Sequence, residues 1–170
     1  MKILTLLLLL PLSALADVVD SSSNGFTISI EREIKVTTNV AYQQFSQIGD
    51  WWIADHTYYG KSENLSIDLK AGGCFCEIEG EKQVLHMTVS FVNPGSEVRM
   101  IGGLGPLQMM GINGGMSWKF EALDNGNTKI THHYQVSGAI KGGLDKLAPI
   151  VNKVQTMQVD SLVKRLSLKD

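Results

Sequence analysis

Near its N-terminal third the chain alternates: Phe26, Ile28, Ile30, Ile34 and Val36 against Thr27, Ser29, Glu31, Glu33 and Lys35. A period of two predicts a strand with one buried face and one wet face. The period then changes. Thr37 and Thr38 offer a helix cap, Ala41, Phe45 and Ile48 recur at helical spacing, and Gly49 can close the helix. Asp50-Trp51-Trp52 opens a second short turn. Beyond the polar loop HTYYGKSEN, strand-length patterns follow at 65–69, 74–79, 84–92, 97–104, 116–123 and 129–136. The turn words AGG, NPG and DNG separate several of them, and short strands with tight turns predict an antiparallel sheet. Over 144–168 the period is helical again, with Leu147, Val151, Val154, Leu162 and Leu166 in one stripe and Pro149 near its start. The predicted class is α+β: about seven strands curved around a long C-terminal helix, with two short helices after the first strand. Such a sheet cannot pack every inward side chain against one helix, so a cavity between them is expected.

The N-terminus changes the setting. MKILTLLLLLPLSALAD has one basic residue, a short apolar run, a proline and an A-x-A site, which is the pattern of a cleaved signal peptide over 1–16. Export of bacterial type, to the periplasm or the medium, is the expectation. Residues 17–24 read as a flexible lead-in and 25–168 as a single domain. The whole chain carries 15 basic and 17 acidic residues, net −2. That balance argues against a nucleic-acid partner, and no further apolar stretch predicts a transmembrane segment in the mature chain.

The order of several words resembles the helix-grip superfamily of START-related, polyketide-cyclase-like proteins (SRPBCC). These are FTISIEREIKVTTNVAYQQF, IGDWW, AGGCFCE, VSFVNPG, the strand pair MSWKFEALDNGNTKITHHYQV and the terminal helix. They look nearest to homologues of the activator of the heat-shock protein 90 ATPase. The resemblance implies a helix-grip fold with a pocket for a small hydrophobic molecule or lipid. It implies no particular reaction and no cofactor, because the superfamily hosts carriers, receptors, cyclases and co-chaperones. The signal peptide and the paired cysteines depart from that branch, and export argues against an ATPase co-chaperone role.

Candidate chemistry falls in a few places. Met116, Trp118, Phe120 and Ala122 share a strand face, as do Ile130, His132, Tyr134 and Val136, so His132 and Tyr134 are expected inside. His132 is a candidate acid/base, or a hydrogen-bonded core histidine. On the strand 74–79, Cys74, Cys76 and Ile78 share one face, and Phe75, Glu77 and Glu79 the other. Hydrophobicity alone puts the cysteines inside. The family comparison instead puts Phe75 and Glu77 there, which would make Glu77 a second acid/base candidate, with His132, Tyr134 or His56 as its partner. His86 is expected to face outward unless a bulge shifts its register. Trp52, His56 and Tyr58 read as a polar-tipped aromatic rim, and Met109 and Met110 as adaptable contacts at a pocket mouth. Cys74 and Cys76 have three readings: a structural pair, a labile disulfide, or thiolate ligands of a metal completed by His56 or His86.

Overall fold

The computed structural model describes residues 16–168 of the chain. The proposed signal segment lies outside the described residues, apart from its last position. The strands are β1 (Ala16–Ser22), β2 (Gly25–Ile34), β3 (Leu65–Ile67), β4 (Cys74–Glu79), β5 (Lys82–Asn93), β6 (Glu97–Ile101), β7 (Asn113–Ala122) and β8 (Thr128–Ser137). The helices are α1 (Thr38–Ser46) and α2 (Ala148–Ser167), with short 3-10 turns around them. All strands form one antiparallel sheet in the order β1-β2-β8-β7-β6-β5-β4-β3, and α2 packs across β1 and β2 and against α1. This is the helix-grip arrangement.

Two sequence expectations need correction. The segment read as a flexible lead-in is β1 and its turn, which adds a strand at one edge of the sheet. Its serines and aspartates hide the signal: an edge strand needs only backbone pairing, and its side chains can stay wet. Val18 opposite Ile28 packs on the core, while Val19 at a register shift points to solvent. The second correction concerns the cap of α1. Thr37 sits at the N-cap in extended conformation, but its side chain makes no capping hydrogen bond.

Period two does most of the remaining work. β2 buries Phe26, Ile28, Ile30 and Ile34, and β8 buries Thr128, Ile130, His132, Tyr134 and Val136. Each large apolar side chain so buried contributes about 1.5–3 kcal/mol. Across the sheet, Phe45 of α1 meets Trp118 at 5.2 Å and Phe120 at 5.5 Å between ring centroids, and Trp51 meets Trp118 at 5.7 Å. The aromatic contacts continue through Trp52 to Phe75 at 5.5 Å. The indole of Trp51 donates to the Phe45 carbonyl and that of Trp52 to the His56 carbonyl, so neither buried N–H is stranded. The AGG turn before β4 depends on glycine twice. Gly72 has φ of +81°, and a Cβ on Gly73 would collide with the Asp68 carbonyl.

Candidate functional site

α2 packs against β1 and β2, and its first turns border an open space together with residues of β5 and β8. The space left is a cavity of about 450 Å³. Apolar side chains of the loop after β6 (Leu104, Leu107, Met110) and of the start of α2 (Leu147, Ile150, Val151) form most of its wall. A few polar groups converge on it: His56, Tyr58, His86, Tyr134 and Gln155. Within the described residues no helix is long and apolar enough to cross a membrane.

The polar end of the wall is made by a β-bulge. Phe75 pairs with Met87 and Cys76 with Leu85, so His86 has no partner on β4. The extra residue turns the strand, and His86 and Met87 both point inward while Leu85 is left 53% exposed. This corrects the expectation that His86 faces outward, through the bulge that the expectation allowed for. A second shift, between Val89 and Phe91, carries Phe91 outward as well, where the Arg99 guanidinium lies 4.5 Å over its ring. The first bulge also frees the carbonyls of Leu85 and His86. The side-chain amide of Gln108, from the loop at the cavity mouth, donates to both, at 2.6 and 3.0 Å.

Inside the bulge lies Glu77, fully buried. Its carboxylate accepts the backbone N–H of Tyr58 at 2.9 Å and of Tyr59 at 2.8 Å, and faces His86 Nε2 at 3.3 Å. A buried carboxylate is tolerated only when its oxygens are occupied this way. One acid therefore pins the HTYYG loop, and with it Tyr58, to the sheet. The partner of Glu77 is His86, none of the residues expected from the sequence. The His86 ring is held against Phe75 at 4.9 Å and Tyr58 at 5.8 Å. Burial pushes its pKa below the ordinary histidine value, with Glu77 opposing that shift. Its Nε2 lies against Glu77, and its Nδ1 is buried and without a hydrogen-bond partner.

His132 plays a different part. It is fully buried, stacks on Trp118 at 4.3 Å and meets Gln155 Oε1 at 2.9 Å through Nε2. Burial lowers its pKa to about 3, with the Gln155 hydrogen bond opposing. It is a neutral core histidine at any physiological pH, and it does not border the cavity. The Tyr134 hydroxyl accepts the Leu104 N–H at 3.1 Å, and burial raises its pKa to about 12. On α2, Gln158 Oε1 accepts the Ile53 N–H at 2.9 Å, which orients its amide nitrogen to donate to His56 Nδ1 at 2.6 Å. His56 then carries its proton on Nε2.

Of the residues proposed from sequence, the structure brings Trp52, His56, Tyr58 and Tyr134 to the cavity wall. Phe75, Glu77, Trp118 and His132 are buried behind it, and Met109 is 90% exposed while its neighbour Met110 lines the cavity. Sequence reasoning missed Gln108, Gln155 and Gln158. The last two carried a readable signal, because they interrupt the apolar stripe of α2 at inward spacing between Val151, Val159 and Leu162.

Cys74 and Cys76 lie half-buried on the outer face of β4, joined as a disulfide with Cα atoms 5.4 Å apart. His86 and His56 face the opposite side of the sheet, so they cannot complete a thiolate metal site there. Among the described residues no three His, Cys, Asp or Glu side chains come together as a metal cluster. Closing a loop this short constrains the unfolded chain little, so the Cys74→Ser/Cys76→Ser double variant is expected to lose only about 1–2 kcal/mol in urea denaturation. A loss above about 4 kcal/mol would show that the bridge holds the bulge itself.

Neither a protein-family model nor a curated protein sequence matches this chain. Solved structures do resemble it. An uncharacterised protein from Rhizobium leguminosarum superposes with a TM-score of 0.62 at 19% identity, over 84% of this chain and 95% of that one. DynU16, from the dynemicin biosynthetic locus, gives 0.58 at 11% identity, over 83% of this chain and 47% of that one. Ara h 8.0201 gives 0.57 at 16% identity, over 86% and 99%. At these identities the likeness establishes architecture alone, and by it the chain has a helix-grip fold.

Proposed function

We propose that this protein binds a small apolar or amphipathic molecule in the cavity between the sheet and α2, as a carrier or protective sink. The observation that carries the reading is the cavity itself: about 450 Å³, with an almost wholly apolar surface to which seven Leu, Ile, Val and Met side chains contribute. That is the size and composition of small-molecule sites in general. The signal-like N-terminus supports a place for this activity in the periplasm or the medium. The resemblance in sequence words supports membership of the SRPBCC superfamily, nearest the heat-shock protein 90 ATPase-activator branch, without the co-chaperone role.

Native mass spectrometry of the protein purified from its own compartment tests the reading. A copurifying organic mass is expected, and it should be lost in Val154→Trp, where the larger ring fills the cavity from α2. An empty wild-type protein that also fails to take up any apolar probe would refute it. A second reading, acid/base catalysis of the cyclase, dehydratase or isomerase kind, is favoured by one observation, the Glu77–His86 pair at the cavity's polar end. It would show as turnover lost in His86 variants that still bind.

A further inference from the structure

The Cys74–Cys76 disulfide takes no part in the cavity. Phe75 alone separates the two cysteines, and period two turns both to the outer face of β4, where they are half-buried. That face is open around them. Ser66 and Leu85, which pair with Cys76 from either side, are exposed, and so is Ile78 two residues on. A thiol in solution can therefore approach the bridge.

What holds a bridge closed decides its use. The free energy by which a disulfide stabilises a fold is, by reciprocity, the free energy by which the fold holds that disulfide closed. A ring that spans one residue closes almost as readily in the unfolded chain, so here the fold adds little. Backbone geometry points the same way. The two Cα atoms are 5.4 Å apart, whereas two steps along an extended strand cover about 6.4–6.8 Å, so closing the bridge draws β4 in. Opening it leaves the strand in place. β4 is paired on both edges, with β3 and β5, and Phe75 and Glu77 anchor it through buried side chains on the inner face. The two thiols stay within bridging reach of each other, and the folded chain can hold either redox state.

We infer that Cys74 and Cys76 form a redox centre that accepts two electrons from low-molecular-weight thiols, an activity separate from the cavity. A thiolate attacks one cysteine sulfur. A mixed disulfide forms as the Sγ–Sγ bond breaks, and the other cysteine leaves as a thiolate. A second thiolate then attacks the sulfur that the first one brought, and the bound cysteine leaves in turn. Two thiols become one disulfide, and their two electrons and two protons end on Cys74 and Cys76.

Reduced and oxidised glutathione serve as the probe. The full mature protein is equilibrated with them at neutral pH, once folded and once in concentrated guanidinium chloride. It is then acid-quenched and alkylated, and the dithiol fraction is read by mass. Folding is expected to favour the disulfide by no more than about thirtyfold. The reduced protein is expected to keep the circular dichroism and tryptophan fluorescence of the oxidised one. A larger shift makes the bridge structural and overturns the assignment. So does a reduced protein that has lost its fold, or a dithiol that closes at no glutathione ratio. Cys74→Ser and Cys76→Ser, each leaving one thiol, report access. At least one is expected to form a mixed disulfide with oxidised glutathione while folded, and none in either places the sulfurs out of reach. None of these readouts involves the cavity, so their failure leaves the binding reading intact.

Discussion

Glu77→Ala is expected to lower folding stability by about 4 kcal/mol and to loosen the loop that carries Tyr58. The carboxylate takes two backbone amides and faces His86 Nε2, all buried. Removing it strands those donors at roughly 1–3 kcal/mol each, while release of a desolvated charge returns part of the loss. Glu77→Gln keeps one acceptor oxygen but sets an NH₂ group against a donor, so about half the loss is expected. Urea denaturation gives the magnitude, and amide exchange at Tyr58 and Tyr59 gives the location. If the alanine variant loses less than about 1 kcal/mol, or exchange accelerates elsewhere, Glu77 does not hold the loop.

Acidification should weaken the fold well before the carboxylates titrate. His132 is held neutral, with a pKa of about 3 in the folded protein against an ordinary value of 6.5. Below pH 6.5 the unfolded chain binds a proton that the folded one refuses. The stability is therefore complete above pH 6.5 and falls as pH drops toward 3, by about 1.4 kcal/mol per unit. The expected loss from this residue is about 2 kcal/mol at pH 5 and about 3 kcal/mol at pH 4. His86 acts in the same direction, since burial lowers its pKa too. Glu33 and Glu97 have depressed values and add their own losses only at still lower pH. Urea midpoints at pH 7, 6 and 5 should fall steadily, and His132→Leu, though less stable at pH 7, should show a flatter slope. A wild-type profile level between pH 7 and 5 would contradict the neutral buried histidine.

The frame of this molecule was readable from side-chain period. The strands after residue 25, the α1 region and the long last helix all announce themselves through spacing, because each buries one face. β1 did not, since an edge strand with wet side chains has almost no periodic signature. The cavity followed from the architecture, but its polar end did not follow from the residues. Strand parity places His86 outside, and parity fails at a bulge, which is set by pairing between β4 and β5 and leaves no mark in either strand alone. The facing of Phe75 and Glu77 stayed undecided for a related reason. Hydrophobicity ranks a cysteine pair above a carboxylate for burial, and it cannot see two amides arriving from a loop nineteen residues upstream. The glutamines of α2 were legible as interruptions of a stripe, though their partners His56 and His132 were not.

The bulge in β5 also says how little chain separates this sheet from an unbroken one. Leu85 and Met87 already oppose Cys76 and Phe75, as neighbours in an unbroken ladder would. Excising the codon for position 86 would let that ladder close with every other pairing kept. The cavity wall would then lose the His86 ring and the Gln108 tether its offset carbonyls, while the sheet stayed whole. Measured as an insertion, the step that brings an imidazole to this cavity wall is a single residue long.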